Sequence, residues 1–194
     1  IVVAVVLACG VALSMNIVDP DLWGHVQYGR DAIVHGLPRT TTYSYLAEGY
    51  PWINHEILSE LAVALGNDLA GGSGLLFAKV LLGLAIIGAM LYRAFQKGVA
   101  LIPGCATVLL VAVALGAHWS LRPQIFSYVL FAGELALLSY CFAGWEGRWN
   151  LPTNLLGMVR SKEPPALQPL EYSSERLRYL WIMPVMMVVW TNTH

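Results

Sequence analysis

Apolar residues dominate five windows of this chain, at about 1–18, 75–92, 99–117, 123–145 and 180–193, each near the roughly 20 residues a helix needs to cross a hydrocarbon core. Between the first two windows the pattern changes. Leu22, Trp23, Val26 and Ile33 form one helical stripe with His25, Arg30 and Asp31 off it, as in a helix lying in an interface plane. Asp19 is placed to cap that helix, Pro20 to take its first position, and Gly36-Leu37-Pro38 to end it. After a Thr-rich turn and Gly49-Tyr50-Pro51, a second helix is expected to start near Asn54. It would carry Ile57, Leu58, Leu61, Ala62, Leu65 and Leu69 until Gly71-Gly72-Ser73-Gly74 breaks it. The expected fold is all-α: a polytopic transmembrane helical bundle, one partial membrane domain over 1–194. Amphipathic interfacial helices would occupy a first outer loop at 19–74, and an irregular inner loop would cover 146–179.

Composition agrees with the windows. The chain is 57% hydrophobic and 12% charged, with mean hydropathy +0.61, which is outside soluble globular norms and inside those of helical membrane proteins. A net charge of -1 provides no basic field, and no base-reading pattern is present, so nucleic acid is excluded as a partner. Cys9, Cys105 and Cys141 lie in apolar runs without metal or redox spacing and read as small hydrophobes. Because Ile1 already lies inside an apolar segment and His194 follows another, the chain reads as a piece of a longer protein, whose C-terminal remainder would be a partner. A cleaved signal peptide fits the first window less well, since no charged n-region is present and Cys9-Gly10 is a poor cleavage site.

Charge also orients the chain. Arg93 and Lys97 follow the second window, and Arg148, Arg160, Lys162, Arg176 and Arg178 follow the fourth, which the positive-inside rule makes cytoplasmic. The 19–74 loop would then lie outside, where its acids outnumber Arg30 and Arg39. Trp23, Trp52, Trp119, Trp145, Trp149 and Trp181 fall near window ends, as in an interfacial aromatic belt.

The polar residues with chemical capacity gather on that outer side. Asp19-Pro20-Asp21 puts two carboxylates at a helix start, with His25 one turn beyond; such groups serve as a general base or hold a divalent cation, or merely cap the helix and complement its dipole. His55-Glu56 is followed by Glu60, and two glutamates at i and i+4 repel unless they meet a cation, a ligand or water. Ser59 stands where a zinc protease would need its second histidine. Arg122-Pro123-Gln124 opens the fourth window beside His118 and Trp119; its guanidinium fork suits a phosphate, or it snorkels to headgroups. Trp190-Thr191-Asn192-Thr193-His194 closes the chain on the same side. Glu134 lies mid-window, where an ionised carboxylate costs at least about 2.5 kcal/mol, so a protonated, paired or wetted state is expected.

Taken together, Asp19-Pro20-Asp21-Leu22-Trp23-Gly24-His25, Gly29-Arg30, Pro38-Arg39-Thr40-Thr41, Trp52-Ile53-Asn54-His55-Glu56, Arg122-Pro123-Gln124-Ile125-Phe126-Ser127 and Trp190-Thr191-Asn192-Thr193-His194 resemble the N-terminal part of bacterial integral-membrane GT-C-type glycosyltransferase-like proteins. The resemblance covers essentially the whole chain. It implies transfer of a sugar from a polyprenyl-phosphate lipid at the outer face of a bacterial plasma membrane, with a divalent cation (Mg or Mn) as the cofactor. It implies Asp19 as general base or metal ligand, Asp21 as its partner, and Glu56 as a further catalytic carboxylate. His25 and His55 would line the same cavity, with Arg122 and Gln124 facing the lipid phosphate and Asn192 and His194 binding substrate. Gly24 departs from the pattern, since close relatives often have a second tryptophan there. A fragment ending at His194 would lack the later spans that complete donor binding and would be inactive alone. Two other classes stay open: a transporter or ion pathway resting on Glu134, and a non-catalytic membrane scaffold or sensor.

Overall fold

The computed structural model describes residues 1–15, 19–143 and 172–194. The regular elements are all helical: α1 (Val2–Leu13), α2 (Leu22–His35), α3 (Ile57–Gln96), α4 (Leu101–Gly116), α5 (Gln124–Cys141), α6 (Ser174–Leu177), a 3-10 turn (Arg178–Trp181) and α7 (Ile182–Trp190). Two of them, α3 and α5, are long and apolar enough to cross a membrane, with windows of mean hydropathy 2.3 and 1.3. Only 28% and 11% of those windows are buried, whereas a soluble core helix would be covered on most sides. Phe77, Leu81 and Leu135 accordingly face outward. The remaining apolar windows form shorter helices of 12, 16 and 9 residues; at 1.5 Å per residue the last is roughly 13 Å long. Five spans were expected, and the described residues hold two helices of spanning length and composition beside three shorter apolar ones. Most of the expected inner loop, with Trp145, Arg148, Trp149, Arg160 and Lys162, lies outside the described residues.

The break expected at Gly71-Gly72-Ser73-Gly74 is narrower than its composition suggests. Helix continues on both sides, and Gly71 alone leaves it, at φ 65° and ψ −173°. Positive φ is a region glycine enters without a steric penalty. A kink there joins the amphipathic first half of α3 directly to its apolar half, so the two elements expected as separate form one bent helix.

The core lies between α1, α3 and α4, where Cys9, Leu13, Ile87, Leu91, Val108 and Ala112 meet Trp119. Trp119 was expected in an interfacial belt. It is instead fully buried, stacked on Tyr128 with ring centroids 5.7 Å apart, and its Nε1–H donates to the Lys79 carbonyl at 3.1 Å. Trp23 and Trp181, at 60% and 81% exposure, do lie at the surface. Lys79 is a second finding inside an apolar window: it is 2% exposed, and its Nζ donates to the Met15 carbonyl at 2.7 Å, tying the end of α1 to α3. Glu134 is partly exposed, and pairing within the bundle is not found for it among the described residues.

The elements around α2 and the start of α3 are held by close approach. Gly29 of α2 lies so near α3 that a Cβ there would stand 2.7 Å from the Ala64 Cβ and closer still to the Glu60 carbonyl oxygen. Leu58 N–H, in the first turn of α3, donates to the Asn192 carbonyl at 2.9 Å. Trp190 Nε1–H donates to Ser127 Oγ at 2.9 Å, tying α7 to α5. The starts of α2, α3 and α5 therefore meet the end of α7.

Candidate functional site

At that meeting point the chain first builds a carboxylate–guanidinium knot. The Asp19 Oδ1 accepts the Asp21 N–H at 3.0 Å, which forms the turn ahead of α2. Asp19 and Pro20 were expected as cap and first helical residue, but α2 starts two residues later, at Leu22, with Asp21 in the cap position and no side-chain cap bond, so Asp19 shapes only the preceding turn. The other oxygen, Oδ2, accepts from Arg122 Nε, and Arg122 Nη2 reaches Asp21 Oδ2 at 3.2 Å. The Asp19 side chain is 3% exposed while that of Arg122 is 37% exposed. Burial by itself raises the Asp19 carboxyl, but the Arg122 hydrogen bond, the Asp21 N–H and the charges of Arg122 and His25 outweigh it and hold the group below the usual carboxylate range. With both oxygens engaged, Asp19 is a group that holds Arg122 in place.

A second cluster forms where α2 crosses the start of α3. His25 Nδ1 stands 3.5 Å from Glu60 Oε1 and 3.8 Å from Glu56 Oε2. Glu60 is buried, and its Oε2 also accepts from Asn54 Nδ2. Asn54 Oδ1 in turn accepts the Glu56 N–H at 2.9 Å, which starts α3 one turn before Glu60. The hydrogen bond to Glu60, opposed by burial and reinforced by the charges of Glu56, Glu60 and Asp21, raises His25 above the ordinary histidine value. The two glutamates that repel in a bare helix thus share a histidine from the neighbouring helix.

A cavity of about 430 Å³ joins the knot and the cluster; Asp21, His25, Glu56, Arg122, Gln124 and His194 line it. Gly24 and Tyr28 complete its wall, and Tyr28 carries an aromatic group with Tyr43 and Trp52 at centroid distances of 4.4 and 5.6 Å. A smaller cavity of about 300 Å³ lies against Asp19, His118, Ser120, Arg122, Gln124 and Tyr128. Of the residues expected to form a site, two stand apart. His55 is exposed and lines neither cavity. Asn192 spends its side chain on the Val188 carbonyl at 2.8 Å and its own carbonyl on Leu58.

The chemistry of the donors bears on the cation. Asp19 and Asp21 are bound to Arg122, so a cation there would have to displace a guanidinium. His25, Glu56 and Glu60 each offer one ligand atom, all within 4.8 Å of one another. One imidazole nitrogen with two carboxylate oxygens fits an ion such as manganese or zinc and fits magnesium less well, because magnesium prefers oxygen alone.

Sequence reasoning left Tyr28 and Lys79 out of the site and its support, and raised Glu60 only as a charge that must meet a cation, a ligand or water. Tyr28 was detectable, being three positions after His25 and hence on its helix face. Glu60 was visible as a charge, while its burial depends on Gly29, which has no periodic signal. Compared with protein-family models, curated proteins and solved structures, the chain matches none.

Proposed function

We propose that this chain forms the outer-face transfer site of a bacterial membrane glycosyltransferase that takes its sugar from a polyprenyl-phosphate lipid. The observation that carries the reading is one polar cavity, lined by Arg122, Glu56 and His25, at the end of two helices long and apolar enough to cross a membrane. A lipid-linked donor has to present its phosphate there, at the boundary of apolar helix and polar cavity.

In this reading Arg122, fixed by Asp19 through Nε, presents its remaining N–H groups to the donor phosphate. Glu56 is the base: Asp21 is held by Arg122, and Glu56 is the cavity carboxylate that is not. The acceptor hydroxyl gives its proton to Glu56 as its oxygen bonds to the anomeric carbon. The bond from that carbon to the phosphate oxygen breaks, its electron pair stays on the phosphate, and Arg122 offsets the growing charge. Glu60 and His25 stand behind Glu56 and keep its environment polar. A divalent cation on that wall would be held by His25 and Glu60, leaving Glu56 for the acceptor proton, and would supply Lewis-acid polarisation there. Gln124 and His194 are placed for sugar hydroxyls. The test is transfer or hydrolysis of radiolabelled polyprenyl-phosphate hexoses by the full-length protein. Turnover lost in Glu56→Gln and Arg122→Gln is expected; no turnover in a folded protein over a panel of donors and acceptors refutes the assignment.

A further inference from the structure

At the opposite end of α3 and α5 lies a cavity that the transfer site does not use. Its volume is about 940 Å³, and Leu135 and Leu138 of α5, with Phe142 just after that helix, form an apolar wall. Arg93, in the last turn of α3, and Lys97, the residue that follows the helix, border it. Both cations line the same cavity. The Arg93 guanidinium donates to Gln96 Oε1 at 2.9 Å and to Ser139 Oγ, bridging α3 to α5. Neither cation forms an ion pair among the described residues. More positive charge stands nearby, with Arg176 5.4 Å from the Tyr140 ring centroid and the Arg176 carbonyl accepting from Cys141 Sγ at 3.2 Å.

A volume of this order accepts a drug-sized ligand, and the lining asks for one with an anionic head and an apolar body. A soluble anion would leave the leucine and phenylalanine wall bare, and an apolar chain alone would leave two cations unmatched. Because both bordering helices are of membrane-crossing length and composition, the molecule with that chemistry at hand is a lipid.

We propose that this groove binds an anionic phospholipid, its phosphate on Arg93 and Lys97 and an acyl chain along Leu135, Leu138 and Phe142. The proposal rests on the reading that α3 and α5 cross a membrane, and it places the groove in the leaflet opposite the transfer site. Juxtamembrane basic residues draw anionic headgroups by charge, and the apolar wall adds selectivity for the lipid body.

The test is native mass spectrometry of the detergent-solubilised chain titrated with dioleoyl-phosphatidylglycerol, against dioleoyl-phosphatidylcholine and inorganic phosphate. Saturable phosphatidylglycerol binding is expected, preferred over phosphatidylcholine, uncontested by phosphate, and weakened about tenfold or more in R93Q/K97Q. Lys97→Gln alone, which removes no hydrogen bond seen among the described residues, should weaken it by a smaller factor and guards against a fold defect in the double variant. Equal binding of the two lipids, displacement by phosphate, or unchanged binding in both variants overturns the site. Alkaline carbonate extraction of membranes separates the two readings. A chain released by carbonate refutes the membrane-crossing premise, whereas a retained chain without lipid preference refutes the groove alone.

Discussion

Arg122, ahead of α5, and Asp19, ahead of α2, stand 103 positions apart in the chain and are joined side chain to side chain. That bond fixes a guanidinium at the cavity and takes up a carboxylate that the sequence alone offers as a base. Asp19→Asn should therefore act through Arg122: the expected effect is a raised KM for the lipid donor with kcat falling less. A kcat loss of about 10² or more with KM unchanged would return Asp19 to the chemical step.

The same bond sets an acid limit. A carboxyl held below its ordinary value contributes stability that is present above that value and is lost as pH falls through the folded value. The thermal midpoint of the detergent-solubilised protein should hold steady from neutral pH to about 4 on Asp19's account and fall below it. Asp19→Asn should lower the midpoint at pH 7 and flatten the acid decline, which differential scanning fluorimetry across pH would read.

Glu56→Gln should reduce turnover by about 10² to 10⁴, the range of a lost general base, with the protein still folded. Because it is the backbone N–H of Glu56 that donates to Asn54 Oδ1, the substitution leaves the start of α3 intact. Full activity in this variant, measured by radiolabelled sugar transfer, would remove the base from Glu56.

Manganese titrated into the protein and followed by electron paramagnetic resonance should show one site of saturable affinity. His25→Gln and Glu60→Gln should each weaken it by about tenfold or more, while Asp21→Asn leaves it unchanged. Loss in Asp21→Asn alone would locate the ion on the acidic pair at the start of α2.

Gly29→Ala tests the crossing of α2 and α3. With Ala64 Cβ 2.7 Å from the added methyl position and the Glu60 carbonyl closer, the helices have to separate, at a cost of about 1–3 kcal/mol. The same separation pulls His25 from Glu60, so manganese binding should weaken with stability. Lys79→Ala should cost about 1–3 kcal/mol by leaving the Met15 carbonyl without its donor. Urea titration in mixed micelles checks both.

Local chemistry was legible where it needed only neighbours. The α2 stripe, the stop at Gly36 and the start of α5 after Arg122-Pro123 all follow from residues within a few positions of one another, whereas α2 starts two residues later than Asp19 and Pro20 suggest. The kink at Gly71 shows the limit, since four small residues suggest a break while packing of both flanking segments lets helix resume after one. Adjacent residues also divided in a way composition does not show. Glu56 lines the cavity while the neighbouring His55 does not, and His194 lines it while Asn192, two positions before, does not, because nearby side chains on a turn or helix point in different directions.

By itself the sequence determined the helical class, the apolar windows and the charge bias of the first loop, because hydrophobic period and local capping act over a few residues. Tertiary structure decided which windows become helices of crossing length, that Trp119 and Lys79 are buried, and that Asp19 serves Arg122 while Glu56 and Glu60 meet His25. These depend on contacts between segments 31 to 103 positions apart, and on Gly29 allowing two backbones to approach. No short-range pattern encodes such a distance, and the free energy that selects it is available only once the helices meet.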